Sequence, residues 1–125
     1  MGFEVVATPD LPTPGQFSQV VKKGKFVFIS GQTAKKTADA GNLDPRAQAR
    51  EIFEYLKAAI AAAGGKMADI VKINVFLTDG SQFPAIMELR PQYFAKPYPA
   101  ATTVTVASMV KRELVMEIEA IAILD

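Results

Sequence analysis

Two glutamates near the carboxyl end of the chain are the residues best suited to acid–base chemistry. Glu117 and Glu119 lie two positions apart in the apolar run Leu114–Ile123, which predicts a β-strand. Both carboxylates therefore point to the same face of that strand. A carboxylate that is partly buried among apolar side chains has a raised pKa and can position a water molecule or move a proton. Two other interpretations stay open: the face is solvated, or a lysine of another subunit pairs with the carboxylates.

A second candidate lies where another predicted strand ends, at Ser30–Gln32. A glycine such as Gly31 at a strand end lets a backbone amide approach a ligand closely. A glycine at this place can equally serve only to turn the chain. The residues alone do not decide between a binding site and a turn.

Arg90 and Thr103 are polar candidates with two interpretations each. Arg90 stands in the second predicted helix where the apolar stripe calls for an apolar residue. Its guanidinium either extends along the surface to water or binds an anion, for which its planar donor fork is well suited. The first interpretation of Thr103 is that it is an ordinary residue of a predicted strand. The second is that its hydroxyl lines a pocket.

The composition excludes several functional classes. The 125 residues include no cysteine and no histidine, which excludes a cysteine nucleophile, a Ser-His-Asp triad and zinc sites of thiolate or imidazole. With 14 basic and 13 acidic side chains and scattered arginines, no basic field for nucleic acid is expected. No apolar run approaches the roughly 18–20 residues that cross a bilayer. We therefore expect a single domain over residues 1–125, located in the cytoplasm, with no cofactor, no metal and no membrane or nucleic-acid partner.

The apolar patterning predicts the element order β-β-β-α-β-α-β-β. The strands that the pattern places are Phe17–Val21, Lys25–Ser30, Ile70–Leu77, Thr102–Ala107 and Leu114–Ile123. The first two are expected to form a hairpin, and Lys25–Ser30 is expected to be buried on both faces. The polar stretch Thr33–Leu43 is interpreted as a loop.

Two helices are expected between these strands. Asp44–Pro45 opens the first, with an acceptor side chain at the N-cap and proline at the first helical position, and Gly64–Gly65 ends it. The second is predicted from Ser81 to about Phe94, with a bend at Pro91.

This order predicts an α+β fold in which both helices cover one face of a mixed sheet, because strand–helix–strand crossovers are right-handed. The last strand carries apolar side chains on both sides, so the opposite face of the sheet is also expected to be buried. We expect it to be buried against another subunit. The residues expected to be buried together in that assembly are Val104, Val106, Ile118 and Ala120.

Four segments of the chain resemble signatures of a known family. Pro14–Val21, Phe28–Gln32, Val75–Asp79 and Met116–Ala122 are similar, in order and spacing, to segments of the RidA/YjgF family of reactive-intermediate deaminases. Members of this family also carry the label endoribonuclease L-PSP. The resemblance implies a chorismate-mutase-like fold, assembled as a homotrimer with a central barrel and small-molecule clefts between subunits.

Deaminating members of the family hydrolyse enamines and imines to a 2-oxo acid and ammonia without a metal or cofactor. By resemblance, Glu117 matches the glutamate that positions the attacking water, and Ser30–Gly31 matches a turn whose backbone contacts the substrate. The positions of the family's pocket tyrosine, asparagine and arginine hold Phe17, Met87 and Ala101. The resemblance is thus to the arginine-lacking branches of the family.

Loss of that arginine removes a charge-assisted pair worth about 1.5–3 kcal/mol of carboxylate affinity. We therefore expect slow turnover of 2-imino acids and a preference for a less anionic, more apolar ligand, unless Arg90 replaces the lost cation. The predicted activity is hydrolysis of an imine, an enamine or a related reactive metabolite, with Glu117 as the catalytic residue. The residues expected to bind the substrate are Phe17, Ser30, Gly31, Met87, Arg90, Ala101 and Thr103. The alternatives are a trimeric ligand-binding protein without catalysis and, last, an endoribonuclease.

Overall fold

The computed structural model describes residues 2–125 of the chain, and within them the chain forms six strands and three α-helices. The strands are β1 (Glu4–Val5), β2 (Val20–Lys23), β3 (Phe26–Gln32), β4 (Ile70–Leu77), β5 (Ala100–Thr105) and β6 (Met116–Ile123). The helices are α1 (Lys35–Asp39), α2 (Pro45–Ala62) and α3 (Phe83–Leu89). Short 3₁₀ turns precede β4 and flank α3 on both sides.

The six strands form one mixed sheet in the order β1-β2-β3-β6-β4-β5. β4 and β5 are parallel, and the other neighbouring pairs are antiparallel. A parallel pair requires a crossover connection, which α3 supplies. The predicted α+β fold with a mixed sheet is confirmed, as are the β2–β3 hairpin and the bounds of β4.

Helix α2 begins and ends as its sequence predicts. The Asp44 carboxylate accepts a hydrogen bond of 3.2 Å from the amide of Ala47, and Pro45 occupies the first helical position. Gly64 follows the helix with a φ of 88°, a left-handed conformation that a side chain disfavours. α2 packs across β3 and β6, and α3 packs against α2.

The core lies between these helices and one face of the sheet. Ile73, Val75, Ile118 and Ala120 all point to this covered face and are buried by the chain itself. The expectation that Ile118 and Ala120 lie with Val104 in an assembly core is therefore wrong. Val104 pairs with Phe76 of β4 and points to the other side of the sheet.

We call the sheet face turned away from the helices the open face. Its apolar members are Phe26, Phe28, Phe76, Val104, Ile121 and Ile123. In β3 buried and exposed residues alternate, with Phe26 49% and Phe28 44% exposed. The expectation that this strand is buried on both faces is thus wrong within one chain, because none of the helices formed by residues 2–125 covers the open face.

The predicted loop Thr33–Leu43 contains helix α1. The carboxylate of Glu51 in α2 accepts hydrogen bonds from the amides of Lys36 and Thr37, at 2.9 and 2.8 Å, and from the Thr37 hydroxyl. These bonds satisfy amide groups that the first turn of a helix leaves unpaired. The acceptor lies about 15 residues away in the sequence, so local patterning missed the helix.

The second predicted helix is shorter than expected. α3 ends at Leu89, and Arg90–Gln92 continue as a 3₁₀ turn in which the amide of Tyr93 donates to the carbonyl of Arg90. Pro91 lacks an amide proton and its ring clashes with the carbonyl four residues earlier, so it ends the α-helix rather than bending it. None of the helices within residues 2–125 has the length and apolar character needed to cross a membrane.

Candidate functional site

The junction of β3 with β6 is irregular at Ser30 and Gly31. Ile29 pairs with Ala120 and Gln32 with Ile118, so two residues of β3 oppose the single Glu119 of β6. This arrangement is a β-bulge, which re-aims side chains next to it. The bulge brings the backbone of Gly31 against Glu117.

Gly31 is required by this close packing and not by an unusual φ. A Cβ atom at position 31 would lie 2.6 Å from Cδ and 2.9 Å from Cγ of the Glu117 side chain. Any residue other than glycine would therefore displace the carboxylate. Gly31 thus packs closely on a side chain of the same chain, whereas the interpretation that a backbone amide here approaches a ligand stays a prediction.

Glu117 and Glu119 both lie on the open face, half-buried, next to β4. The amide Nδ2 of Asn74 donates to Oε2 of Glu119 at 2.9 Å, whereas Glu117 has no hydrogen-bond partner among the residues that the structure describes. Burial, and then the negative charge of Glu119, raise the pKa of Glu117 above its ordinary value. Asn74 was missed by sequence reasoning, because its position opposite Glu119 follows only from the strand register.

Ser30 serves to hold the chain near the site. Its hydroxyl donates to the carbonyl of Ser18 at 2.7 Å, and its amide donates to the carbonyl of Gln19 at 2.9 Å. The Gln32 amide group donates to Oε1 of Gln19, whose own Nε2 donates to the carbonyl of Pro12. These bonds, of which the Gln32–Gln19 bond is buried, hold the segment that carries Phe17.

Phe17 borders two cavities. One has a volume of about 630 Å³ and is also lined by Pro14, Gly31, Lys35 and Lys111. The other, about 580 Å³, lies on the open face beside Ser30, Asn74 and Glu119. Both volumes are sufficient for a small metabolite. Phe17 is 55% exposed, so its ring is available to such a ligand.

The remaining candidates lie on the other side of the sheet. Ala101 pairs with Ile73 and Thr103 with Val75, and cross-strand partners share a face. Ala101 and Thr103 therefore face the helix side, although β5 is exposed at the edge of the sheet. Met87 and Arg90 lie on or next to α3, on the same helix side.

The structure thus divides the candidate residues into two groups. The acid-side group, which the structure brings together around the bulge and the open face, is Phe17, Ser30, Gly31 and Glu117. The edge-side group, on the helix side of the sheet, is Met87, Arg90, Ala101 and Thr103. Within one chain the sheet separates the two groups.

The structure does not agree with the first of the two interpretations of Arg90, in which its guanidinium extends along the surface to water; binding of an anion stays a prediction. Its Nε and Nη2 atoms are buried, and neither has a hydrogen-bond partner within residues 2–125. These two nitrogens therefore do not extend to water. Burial lowers the pKa of the Arg90 guanidinium from its ordinary value, because an apolar environment disfavours the charged form.

The family model described as Endoribonuclease L-PSP matches residues 8–124 of the chain. A relative from Dermatophagoides farinae named 2-iminobutanoate/2-iminopropanoate deaminase is 37% identical over 124 residues, covering 97% of this chain and 96% of the relative. The putative reactive intermediate deaminase TdcF of Escherichia coli (strain K12) is 39% identical, and the alignment covers 87% of each chain.

Solved structures agree with these relatives. RidA from the Antarctic bacterium Psychrobacter sp. PAMC 21119 superposes with a TM-score of 0.87 at 39% identity, covering 97% of this chain and 99% of that one. The crystal structure of E. coli TdcF with bound serine superposes with a TM-score of 0.86 at 36% identity, covering 98% and 99% of the two chains. The chain belongs to the RidA/YjgF family.

Proposed function

We propose that this protein hydrolyses an imine, an enamine or a related reactive metabolite, releasing ammonia and a carbonyl compound. Two of its relatives are named as deaminases of this kind, one of them for 2-iminobutanoate and 2-iminopropanoate. The observation that carries the proposal is the environment of Glu117, which packs on Gly31 at a β-bulge and has a raised pKa.

In the proposed reaction Glu117 acts as the base that orients and deprotonates a water molecule. The water oxygen bonds to the carbon of the C=N group, and the proton that Glu117 took from the water passes to the nitrogen, which gives a carbinolamine. Glu117 then takes the hydroxyl proton and returns it to the amino nitrogen; the C–N bond breaks with its electron pair going to nitrogen, ammonia leaves, and the C=O group forms. A carboxylate with a raised pKa suits this role because it accepts and returns a proton more readily near neutral pH.

In the proposed site Glu119 does not act as the base but as a charged neighbour of Glu117. Its carboxylate accepts a hydrogen bond from Asn74 and is thereby held in place beside Glu117. The negative charge of Glu119 contributes to the raised pKa of Glu117. Two neighbouring carboxylates in different environments can in this way take different roles.

We further propose that the site is completed between copies of the chain in a homotrimer, with small-molecule clefts at the subunit contacts. Support comes from the separation of the acid-side group from the edge-side group by the sheet. The apolar open face also favours assembly, since contiguous exposed apolar surface of this kind is uncommon on monomers. In a ring of copies, the edge-side group of one chain can meet the acid-side group of the next.

The alternative without catalysis is a trimeric protein that only binds a small ligand. It gains support from Phe17, Met87 and Ala101, which replace polar pocket positions of the family. The endoribonuclease label of the family model favours a third function, but the near-zero net charge of +1 gives no basic surface for phosphates.

Glu117→Gln separates catalysis from binding alone. Imine is generated from an amino acid by an amino-acid oxidase, and its loss is followed by competition with semicarbazide. We expect Glu117→Gln to lower kcat by about 100-fold or more, the scale of acid–base catalysis, while affinity for a 2-oxo acid stays nearly unchanged. Glu4→Gln, an exposed carboxylate in β1, is the matched control and should keep full activity. A wild-type protein that binds ligand but turns nothing over would support the binding protein instead.

A further inference from the structure

Two buried glutamines form a hydrogen-bonded chain whose direction is fixed at both ends. Nε2 of Gln19 donates to the carbonyl of Pro12 at 2.8 Å, and Oε1 of Gln19 accepts a bond of 2.8 Å from Nε2 of Gln32. Nε2 of Gln32 also donates to the carbonyl of Ser30 at 2.9 Å. Because a backbone carbonyl only accepts hydrogen bonds, neither side-chain amide can be turned around. The chain ends in Oε1 of Gln32, an acceptor to which no group of residues 2–125 donates.

This oxygen is accessible from the cavity of about 630 Å³. Gln32 is only 2% exposed, and it lines that cavity. Within residues 2–125, the fully occluded side-chain nitrogens and oxygens without a partner are two nitrogens of Arg90. Oε1 of Gln32 has no partner and is not one of these occluded atoms, so a molecule in the cavity can contact it.

The side chain of Gln32 lies on the covered side of the sheet. Gln32 pairs with Ile118 of β6, and cross-strand partners share a face. Glu117 precedes Ile118 in the same strand and therefore points to the open face. The sheet thus separates Oε1 of Gln32 from the carboxylate of the proposed reaction.

Helix α2 holds both walls of this cavity. One wall is α1, whose first amides are bound by the Glu51 carboxylate. The other wall is formed by residues 110–114, which Gln48 holds by donating to the carbonyl of Glu113 at 2.8 Å and accepting from the amide of Val115 at 3.0 Å. Since both walls are anchored without a ligand, the cavity is preformed, and binding requires little ordering of the chain.

The charges around the cavity balance one another. Lys35 and Lys111 line it together with Asp39 and Glu113. Lys35 pairs with Asp39 at 2.7 Å, and this bond, together with the charge of Lys111, lowers the pKa of Asp39. Two basic and two acidic side chains leave no net charge that would select an ion.

The other groups of the lining indicate the chemistry of a ligand. Pro14, Phe17 and Leu114 give the cavity apolar surface, against which an apolar molecular body packs. Oε1 of Gln32 requires an N–H or O–H donor, whereas an ionised carboxylate has only acceptor oxygens. The two bonds that Nε2 of Gln32 donates polarise its amide and strengthen Oε1 as an acceptor.

We infer that this cavity is a second ligand site, which binds an uncharged molecule with an apolar body and an N–H or O–H group that donates to Oε1 of Gln32. Primary amides, lactams and phenols belong to this chemical class. The inference does not rest on the proposed hydrolysis, since Glu117 lies on the other face of the sheet.

Four ligands that share one aromatic ring test the site, each titrated into the full chain and followed by NMR of its amide resonances. Benzamide and N-methylbenzamide carry an N–H donor, N,N-dimethylbenzamide has none, and benzoate is an anion. We expect benzamide to shift the resonances of the Gln32 side-chain amide and of the Thr33 backbone amide. It should bind about tenfold or more tightly than N,N-dimethylbenzamide or benzoate, the scale of a hydrogen bond whose acceptor is otherwise left unpaired. N-methylbenzamide, which controls for the added methyl group, should bind nearly as benzamide does.

Variants of the cavity locate the bound ligand. Gln32→Met removes the acceptor and should bind benzamide and N,N-dimethylbenzamide equally. Because this change also leaves Oε1 of Gln19 without its donor, Tm is measured alongside. Thr33→Trp alters neither glutamine; Thr33 lines the cavity, so the indole should fill it and abolish benzamide binding. Ala61→Trp, at an exposed position of α2, is the matched control and should bind as wild type.

Several results would overturn the inference. Equal affinity of wild type for benzamide and N,N-dimethylbenzamide would show that Oε1 of Gln32 receives no bond from the ligand. Tightest binding of benzoate would assign the cavity to its lysines, and shifts confined to Asn74 and its neighbours would place the ligand on the open face. Absence of any shift at millimolar benzamide, or unchanged binding in Thr33→Trp, would also contradict the site. Imine turnover enters none of these measurements, so the proposed function can fail while this inference stands.

Discussion

Two polar side chains on opposite sides of the sheet, Gln48 and Glu117, differ in whether their polar atoms have hydrogen-bond partners. On the covered side, Gln48 is fully buried and each of its polar atoms is paired, with donation to the carbonyls of Asn42 and Glu113 and acceptance from the amide of Val115. On the open face, Glu117 is half-buried without a hydrogen-bond partner among the described residues and has a raised pKa. A fully satisfied group stabilises the fold, whereas an unsatisfied carboxyl stays available for a ligand or a proton. Gln48 thus stabilises the covered side, and Glu117 on the open face is the residue for which we propose a chemical role.

The largest effect is expected from a charge placed on the apolar part of the open face. Phe28→Asp should raise the dissociation constant of the assembly by about 100-fold or more, because burying an unpaired carboxylate costs several kcal/mol. Analytical ultracentrifugation at micromolar concentration measures the loss of the oligomer. Leu43→Asp changes a somewhat more exposed apolar residue away from the sheet and should leave assembly intact. If Phe28→Asp assembles as wild type does, the open face is not the subunit contact.

The next largest effect concerns the packing of Gly31 on Glu117. Gly31→Ala should lower kcat by about 100-fold, the scale of acid–base catalysis, because the new Cβ displaces the carboxylate. The Tm should change little, since a flexible side chain can rotate away from the methyl group. Gly80→Ala, where a Cβ would meet nothing within 4 Å, is the control for a glycine replacement. Full activity in Gly31→Ala would show that Glu117 takes no part in catalysis.

A smaller effect is expected on the pH dependence of the reaction. The proposed mechanism requires ionised Glu117, so the rate should fall as the pH drops through its raised pKa. Glu119→Gln removes the neighbouring charge and should move this acidic limb to lower pH, though burial keeps the pKa of Glu117 above its ordinary value. The measurement is the pH profile of kcat/KM for wild type and variant. An acidic limb that stays in place would show that Glu119 does not act on Glu117.

The raised pKa of Glu117 also makes the stability of the fold depend on pH. A carboxyl whose pKa is raised in the folded state stabilises the fold when protonated, and that contribution is lost as the pH rises through the folded pKa. Glu119→Gln should therefore reduce the destabilisation that Glu117 causes at neutral pH. Thermal unfolding of wild type and variant at several pH values measures the difference.

Much of the fold could be predicted from local signals. The N-cap at Asp44, the glycines after α2 and the alternation in β4 each depend on residues close in sequence, and the structure has them as predicted. Helix α1 could not be predicted in this way, because its amides are satisfied by Glu51 of another helix. Pro91 was identified correctly as a disruption, but its effect was underestimated.

The candidate site was less accessible to sequence reasoning. The shared face of Glu117 and Glu119 follows from strand periodicity alone. The contact of Gly31 with Glu117 and the bond from Asn74 to Glu119 depend on a bulge and on the pairing of three strands. The separation of Ala101 from Glu117 by the sheet likewise follows only from the register of β4 with β5.

The central claim, that one site is built from two copies of the chain, can be tested by mixing two inactive variants. Glu117→Gln disables the acid-side group, and Thr103→Trp should block the edge-side group of the same cleft. Each variant alone should be inactive, whereas co-refolding equal amounts should restore about a quarter of wild-type activity, because one cleft in four then joins two intact groups. A mixture as inactive as its components, although ultracentrifugation shows mixed oligomers, would contradict the shared site.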